Sequence, residues 1–379
     1  MIKINSPISI LEFSSTHIYL NVYDKAIMSQ NSFYEEKINY SKDDNLDNEK
    51  PLINIIRKAE KDLDQHLNEI ILIIDSPSIH SIDFSIKKNY DKKLISNIDI
   101  EYITNECEKI IRSNYQDKDV LHIVKSFIFF DDNLINDIEK YTNKVSQVTI
   151  EFKFLMIEKR NINYIKNLFY KNHISLKNVF CTSYVKSLGL INKNNISGLS
   201  SFIDIGYNKS SLSIFDNNTL IYFNNTHIGG NHITKDISKI LKIDYRKAEA
   251  QKFKFSKKNS QEIRKELTLL NQIINARLEE IVELLFLNCP LLKQNIFNSD
   301  LRLYFTGNGS KVLNENLLSF GPEFKFISEM SIIDESKKDA CYSALNFLEK
   351  IDQKKNLKPM LNLEKKGYFE RLFDFFSRK

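Results

Sequence analysis

Glycine and proline are scarce in this chain, nine and six in 379 residues, and tryptophan is absent. Nine glycines is about a third of the ordinary ~7%, which excludes collagen-like and glycine-rich low-complexity architectures. The four cysteines, Cys107, Cys181, Cys289 and Cys341, form no C-x-x-C pair, so zinc-ribbon and thioredoxin-type motifs are excluded. Isolated thiols of this kind read as small buried hydrophobes in a reducing compartment. Seven histidines are scattered without an H-E-x-x-H or a His/Cys cluster, which argues against a metal enzyme. No apolar run approaches the ~20 residues that span a bilayer. The segment MIKINSPISI is not a basic region followed by a long apolar one, so no signal peptide is expected. The reading is a soluble cytoplasmic chain, unless one end lies on a membrane. Charge of one sign is also lacking. With 54 basic and 49 acidic residues the net is +5, too mild to predict a nucleic-acid partner.

What is present is a packable chain, 42% hydrophobic and 27% charged, long enough for two or three domains or one large two-lobed fold. Residues 8–23 read as two strands broken by Ser14-Ser15-Thr16. Residues 31–50 read as a polar loop, 51–66 as a helix, and 69–75, EIILIID, as a strand buried on both faces. A helix at 99–113 and strands near 120–130 and 146–157 form a compact block within 81–158, followed by a helix at 160–172 and a strand at 176–182. Strands at 201–206, 211–216 and 219–224 precede helices at 231–242 and 261–287. A strand at 301–306 and a helix at 336–349 close the globular part.

Scarcity makes the remaining glycines informative, since glycine persists where φ is positive or a ligand approaches closely. Five fall at Gly206, Gly229-Gly230, and Gly307 with Gly309. Three tight turns share one style, an acid or hydroxyl residue closing a strand before the turn. They are Glu12-Phe13-Ser14-Ser15-Thr16, Asp204-Ile205-Gly206-Tyr207-Asn208-Lys209-Ser210, and Thr306-Gly307-Asn308-Gly309-Ser310. Aligned backbone N–H groups in such turns make anion nests, and hydroxyls add donors to phosphate oxygens. A carboxylate at a strand end can hold a hydrated divalent cation. A single D-x-G turn is ordinary hairpin chemistry; three at the starts of two halves and before the last helix are a stronger signal.

In order and spacing these segments resemble the actin-like ATPase superfamily, and within it the bacterial cell-division family FtsA. Residues 11–22 resemble its first phosphate loop and 204–215, DIGYNKSSLSIF, its second. Residues 228–237, IGGNHITKDI, resemble its Gly-Gly loop. AEAQK at 248–252 resembles its adenosine-contacting helix and FTGNGS at 305–310 its adenosine loop. The resemblance implies an α/β, two-lobed, ribonuclease H-like fold that binds ATP and Mg2+. Glu12 and Asp204 would face the metal through water. Ser14, Ser15, Thr16, Asn208, Lys209 and Ser210 would surround the phosphates, with Gly206, Gly229 and Gly230 also among the nucleotide-binding residues. Glu249 and Lys252, three apart on one helix face, would reach the ribose and base, with Gly307, Asn308 and Gly309 letting the backbone pass close to the adenosine. The chain departs from the family at Ser14 and Asn208, where glycine is usual, and at His17, where lysine is usual. Asn208 and Asn308 are expected to tolerate left-handed turns, and Lys209 to replace part of the missing charge. Efficient hydrolysis is not expected, because no residue stands out as a water-activating base.

The resemblance also implies a domain plan. Residues 1–80 and 159–197 would form the first lobe (subdomain 1A), 81–158 an inserted subdomain 1C, 198–242 and 300–349 the second lobe (2A), and 243–299 subdomain 2B. Residues 350–366 read as a polar linker, and 367–379 as a terminal helix. In that helix, at about 100° per residue, Tyr368, Phe369, Leu372, Phe373, Phe375 and Phe376 share an arc of about 160°, opposite Glu370, Asp374 and Arg378. With Lys365, Lys366 and Arg371 nearby, it suits the interface of an anionic membrane; the blander alternative is docking on its own domain or on a partner. The family reading is a non-enzymatic scaffold at the cytoplasmic face of the membrane that self-associates. It would tether FtsZ through the FtsZ C-terminal peptide, with Arg277 as a contact, and recruit later divisome proteins. Arg277 read blandly is a surface residue pairing with Glu280 or a neighbouring acid. The rivals are an actin-like scaffold of type IV pilus assembly and a sugar- or acetate-kinase-type phosphotransferase of the same superfold.

Overall fold

The computed structural model describes residues 7–24, 30–38, 49–256, 265–287, 289–293, 301–313 and 324–356. The first sheet is built from β1 (Ile8–Phe13), β2 (His17–Tyr23), β3 (Gln30–Lys37), β4 (Glu69–Ile74) and, later in the chain, β9 (Ser175–Cys181), in the order β3-β2-β1-β4-β9. β1 runs antiparallel to β2 and parallel to β4, and β4 parallel to β9. Its helices are α1 (Glu49–Leu63), α3 (Lys159–Lys171) and α4 (Thr182–Lys193). The apolar run of β4 is buried from Ile70 to Ile74, as a central strand covered on both faces requires.

The second sheet repeats this plan. β10 (Leu199–Ile205), β11 (Ser210–Asp216), β12 (Thr219–Thr226), β13 (Leu301–Thr306) and β14 (Ile327–Ile332) lie in the order β12-β11-β10-β13-β14, again two antiparallel pairings followed by two parallel ones. The helices here are α5 (Gly230–Leu241), α6 (Tyr245–Ser256), α7 (Lys265–Phe286) and the short α8 (Pro290–Lys293). On α7, Leu270, Ile274, Leu278, Ile281 and Leu285 recur at helical spacing and are buried against the sheet's apolar side. The last helix, α9 (Asp339–Asn356), returns to pack on α4 and β1. Gly189 permits the α4–α9 crossing, since a Cβ there would fall 1.9 Å from Ser343 Oγ. α4 also touches β11, and Tyr184 stacks on Phe215, so the α4–α9 pair fills the space between the two sheets.

A third sheet holds β5 (Ile79–Lys93), β6 (Lys118–Phe130), β7 (Asn133–Leu134) and β8 (Val145–Glu158) in the order β5-β8-β6-β7, backed by α2 (Asn97–Asn114). Ser96 caps α2 in a reciprocal box with Asp99. Asn225 of β12 donates to the Ile79 carbonyl at 2.6 Å, and Ser126 to the Leu220 carbonyl at 3.0 Å, which fastens this sheet to the edge of the second.

Two local expectations need correction, and two elements went unread. Residues 30–37 form β3 rather than part of a polar loop, because tertiary pairing with β2 overrides a weak local pattern. α4 and β14 carried no clear sequence signal. The final helix starts at Asp339 and continues to Asn356, seven residues into the stretch read as linker; residues 357–379 lie outside the described residues.

His122 is the structural histidine that a strand position suggests. The Cys181 N–H donates to its Nε2 at 2.8 Å, and Phe180, Tyr184 and Phe347 pack around the ring. Burial pushes its pKa from 6.5 down to about 3. The folded state therefore refuses a proton that the unfolded chain accepts, so stability is full above pH 6.5 and is lost as pH falls toward 3. His122→Gln, which keeps an acceptor without the titration, should flatten this acid limb in urea titrations. An unchanged limb would assign the acid sensitivity elsewhere.

Candidate functional site

In open sheets with parallel strands, ligands bind at the carboxyl ends of those strands. Glu12 is the penultimate residue of β1 and Asp204 of β10, so the duplicated sheets present two acids at equivalent positions. Asp75 follows β4 directly, as Gly307 follows β13. These ends face one cleft of about 690 Å³ between the sheets, a size suited to a nucleotide-sized ligand.

Most of the residues singled out in the sequence line this cleft. They are Glu12, Ser14, Ser15, Thr16, Asp204, Gly206, Lys209, Gly230, Glu249, Lys252, Gly307, Asn308 and Gly309. Asn208, Ser210 and Gly229 lie just behind it. Asn208 accepts from Asn231 Nδ2 at 3.1 Å, and Ser210 donates to the Ile228 carbonyl at 2.8 Å. Gly229 is a packing point, because a Cβ there would stand 2.7–2.8 Å from Gly206 O, Lys209 N and Tyr207 O. The Gly-Gly segment thus clamps the turn that follows β10, through Gly230 N–H to Gly206 O at 2.9 Å and Asn231 N–H to Tyr207 O at 2.8 Å. The left-handed backbone expected at Asn208 and Asn308 is absent; in the third turn Gly307 itself carries the positive φ, +85°.

Polar atoms are unequally free for a ligand. Ser14 Oγ is spent inside its turn, donating to the His17 carbonyl at 2.8 Å and accepting from the His17 N–H at 3.1 Å. Thr16 Oγ1 meets His17 Nδ1 at 2.9 Å. Glu249 and Lys252 pair at 2.7 Å on one face of α6, and Lys252 reaches across to the Gly230 carbonyl at 3.1 Å and Thr234 Oγ1 at 2.7 Å. Burial draws the Lys252 pKa down, with Glu249 opposing. Lys337 at the rim pairs with Glu35 at 2.7 Å.

The floor of the cleft holds groups that the sequence reading missed. Lys186 of α4 lies 2.7 Å from Asp204 and 3.0 Å from Glu335, and all three are buried or nearly so. Burial opposes the lysine's charge, but the two carboxylates outweigh it and its pKa rises. Lys209 pairs with Asp75. Glu12 carries the largest consequence. Burial first, then the charges of Asp204, Glu335 and Asp75, push its pKa from 4.5 to about 8, with Lys186 opposing. Two of these residues had legible signals. Asp75 closes an apolar strand just as Glu12 and Asp204 do, and Lys186 is the lone charge in the run CTSYVKSLGL.

The hydrated divalent cation expected to face Glu12 and Asp204 through water does not fit this arrangement. Lys186 Nζ already stands among the carboxylates, and among the described residues no three His, Cys, Asp or Glu side chains are arranged to hold a metal.

The family model of the cell division protein FtsA matches residues 201–315, the stretch that contains most of β10, all of β11 and β12, and the turns after β10 and β13. The chain resembles the FtsA family. FtsA of Helicobacter pylori strain J99 is 25% identical over 153 residues, and a second strain of that species 24% over the same length. The match covers 40% of this chain and only 30% of those relatives. Among solved structures, the PilM-PilN type IV pilus biogenesis complex aligns over 93% of this chain and 99% of its own, with a TM-score of 0.56 at 11% identity. MreB5 of Spiroplasma citri bound to ADP aligns over the same share of this chain at 12% identity and a TM-score of 0.47. The fold is actin-like, and the family-model match to FtsA lies within residues 201–315. The turn after β1 lies outside the FtsA match, and its placement rests on the geometry above.

The remaining named sites divide in two. Arg277 of α7 is half-buried, with Nε 2.6 Å from Asp236 and a second contact to Glu280, the bland pairing. Lys365, Lys366, Tyr368, Phe369, Arg371, Leu372, Phe373, Phe375 and Phe376 lie outside the described residues.

Proposed function

We propose that this protein is an ATP-binding, FtsA-like cell-division scaffold. The observation that carries the reading is the meeting of the turns after β1, β10 and β13 in one cleft, two of them within the segment that matches FtsA. Lys186, Lys209, Lys252 and the cleft-lining Lys311 give the site the cationic donors that phosphates need. Glu249 and the Gly307–Gly309 turn stand where a nucleoside would lie between α6 and β13. Hydrolysis is weak in this reading, because no residue of the cleft stands out as a water-activating base.

The domain plan set out from the sequence belongs to the same proposal, with the β5–β8 sheet as the inserted subdomain 1C. So do the membrane helix at 367–379, self-association, and recruitment of FtsZ and later divisome proteins. A single short amphipathic helix binds membranes marginally, so polymer formation would strengthen attachment through multivalency. Arg277 would meet the FtsZ C-terminal peptide by exchanging its present carboxylate partners for those of the peptide.

The test is co-sedimentation of FtsZ from the same organism with anionic liposomes, with and without this protein and ATP. FtsZ should pellet only when the intact protein is present, and removal of residues 364–379 should abolish this. If the protein pellets alone and leaves FtsZ in solution, the division role fails in favour of another membrane-bound actin-like scaffold, such as that of pilus assembly. ATP turnover stimulated by a small hydroxyl or carboxylate substrate would instead indicate a phosphotransferase.

A further inference from the structure

We propose that Lys186 is the resident cation of this site, so that nucleoside polyphosphates bind without a divalent metal. The inference rests on the nucleotide reading above. A lysine inside a helix is normally exposed, and full burial is tolerated only with paired charge. Lys186 sits in a stretch of α4 in which every residue from Thr182 to Ser187 is buried. Nothing in helix packing requires a charge there. What it meets are acids from three separate elements: Asp204 from the end of β10, Glu335 from the loop after β14, and Glu12 from the end of β1 close enough to feel its field.

That is the position the sequence led one to expect for a divalent cation. The carboxylates converge from both lobes at the carboxyl ends of β1 and β10, next to the turns that would carry the phosphates. The ammonium satisfies them directly, at 2.7 and 3.0 Å. An ammonium has three N–H donors; two go to Asp204 and Glu335, which leaves the third for a phosphate oxygen. A metal entering the same cluster would have to share it with a fixed positive charge that has no solvent to retreat into. Lys209, held by Asp75, supplies a second fixed cation within the same cleft. The two lysines are tied to the protein rather than delivered with the nucleotide, so the charge that meets the phosphates is present before the ligand arrives.

The experiment measures binding of a fluorescent ATP analogue to the full-length protein in excess EDTA and in millimolar Mg2+. It also measures thermal unfolding without nucleotide across a Mg2+ and Mn2+ titration. The expected results are affinities that agree within about threefold and an unfolding temperature that does not respond to metal. Lys186→Met should then reverse both properties. Its freed carboxylates should make unfolding temperature rise with Mg2+, and nucleotide affinity should become at least about tenfold dependent on it. Binding in the wild type that appears only with Mg2+ overturns the inference and leaves the nucleotide reading standing. Metal-induced stabilisation of the wild type overturns it too. Absence of binding in both buffers removes the nucleotide reading, and the inference with it. The wild-type arms decide the matter even if Lys186→Met does not fold.

Discussion

Glu12→Gln should unfold at a higher temperature than the wild-type protein above pH 8, and at nearly the same temperature below pH 4.5. Burial and three neighbouring carboxylates raise the Glu12 pKa from 4.5 to about 8. In that window the folded protein keeps a proton that the unfolded chain releases, so wild-type stability falls as pH rises through it and levels off above. The sign is opposite to that of an ordinary salt-bridged carboxylate. At about 1.4 kcal/mol per pH unit the rise sets an upper limit of roughly 5 kcal/mol, and relaxation of the cleft would reduce it. Glutamine keeps the shape and removes the charge, so the variant should lose the slope. The check is urea unfolding of both proteins at pH 4, 6, 8 and 9. Parallel curves would mean that Glu12 ionises freely and that the cluster around Lys186 is looser than its distances indicate. Combined with the loss that His122 predicts on the acid side, stability should peak between the two transitions, at mildly acidic pH.

The second lobe was legible in the sequence because its signals are local. Asp204, Gly206, Gly229-Gly230 and Gly307 each sit at a turn that the chain must make in a few residues, and in a glycine-poor sequence such turns stand out. The apolar run of β4 was legible for a similar reason, since only a strand covered on both faces suits it. What was hidden depends on contacts between distant segments. β3 is a strand because β2 pairs with it, and its own residues, QNSFYEEK, alternate poorly. Lys186 and Glu335 are separated by 149 positions, and their roles exist only because α4 and the loop after β14 meet at the floor of the cleft. The turn roles of Ser14 and Gly229 show a further limit. The sequence marks where a tight turn falls, but whether its groups face a ligand or close the turn upon itself is set by hydrogen bonds that no spacing encodes.

Gly229→Ala tests that distinction. Its backbone is extended, so the substitution brings no φ penalty; the cost is steric. The new Cβ would meet Gly206 O, Lys209 N and Tyr207 O at 2.7–2.8 Å, and all three are backbone atoms of one turn. A flexible side chain could swing away, but this wall cannot. Either α5 withdraws or the turn deforms, and both routes break the Gly230–Gly206 and Asn231–Tyr207 hydrogen bonds. Overpacking of this kind costs about 1–3 kcal/mol and each of the two lost hydrogen bonds about 1 kcal/mol, so stability should fall by roughly 3–5 kcal/mol. Nucleotide affinity should fall more than that loss of stability alone would require, because the displaced turn carries Lys209 and Gly206, both cleft-lining. Gly198→Ala is the control. Gly198 has φ +73° but only Arg302 near its Cβ position, 3.8 Å away, and it is not a cleft residue. Its substitution should cost about 1 kcal/mol through strain and leave nucleotide affinity unchanged. If the two variants weaken binding equally, the loss is one of general stability. If only Gly229→Ala does so, the clamp between α5 and the turn after β10 is what holds the phosphate side of the cleft in shape.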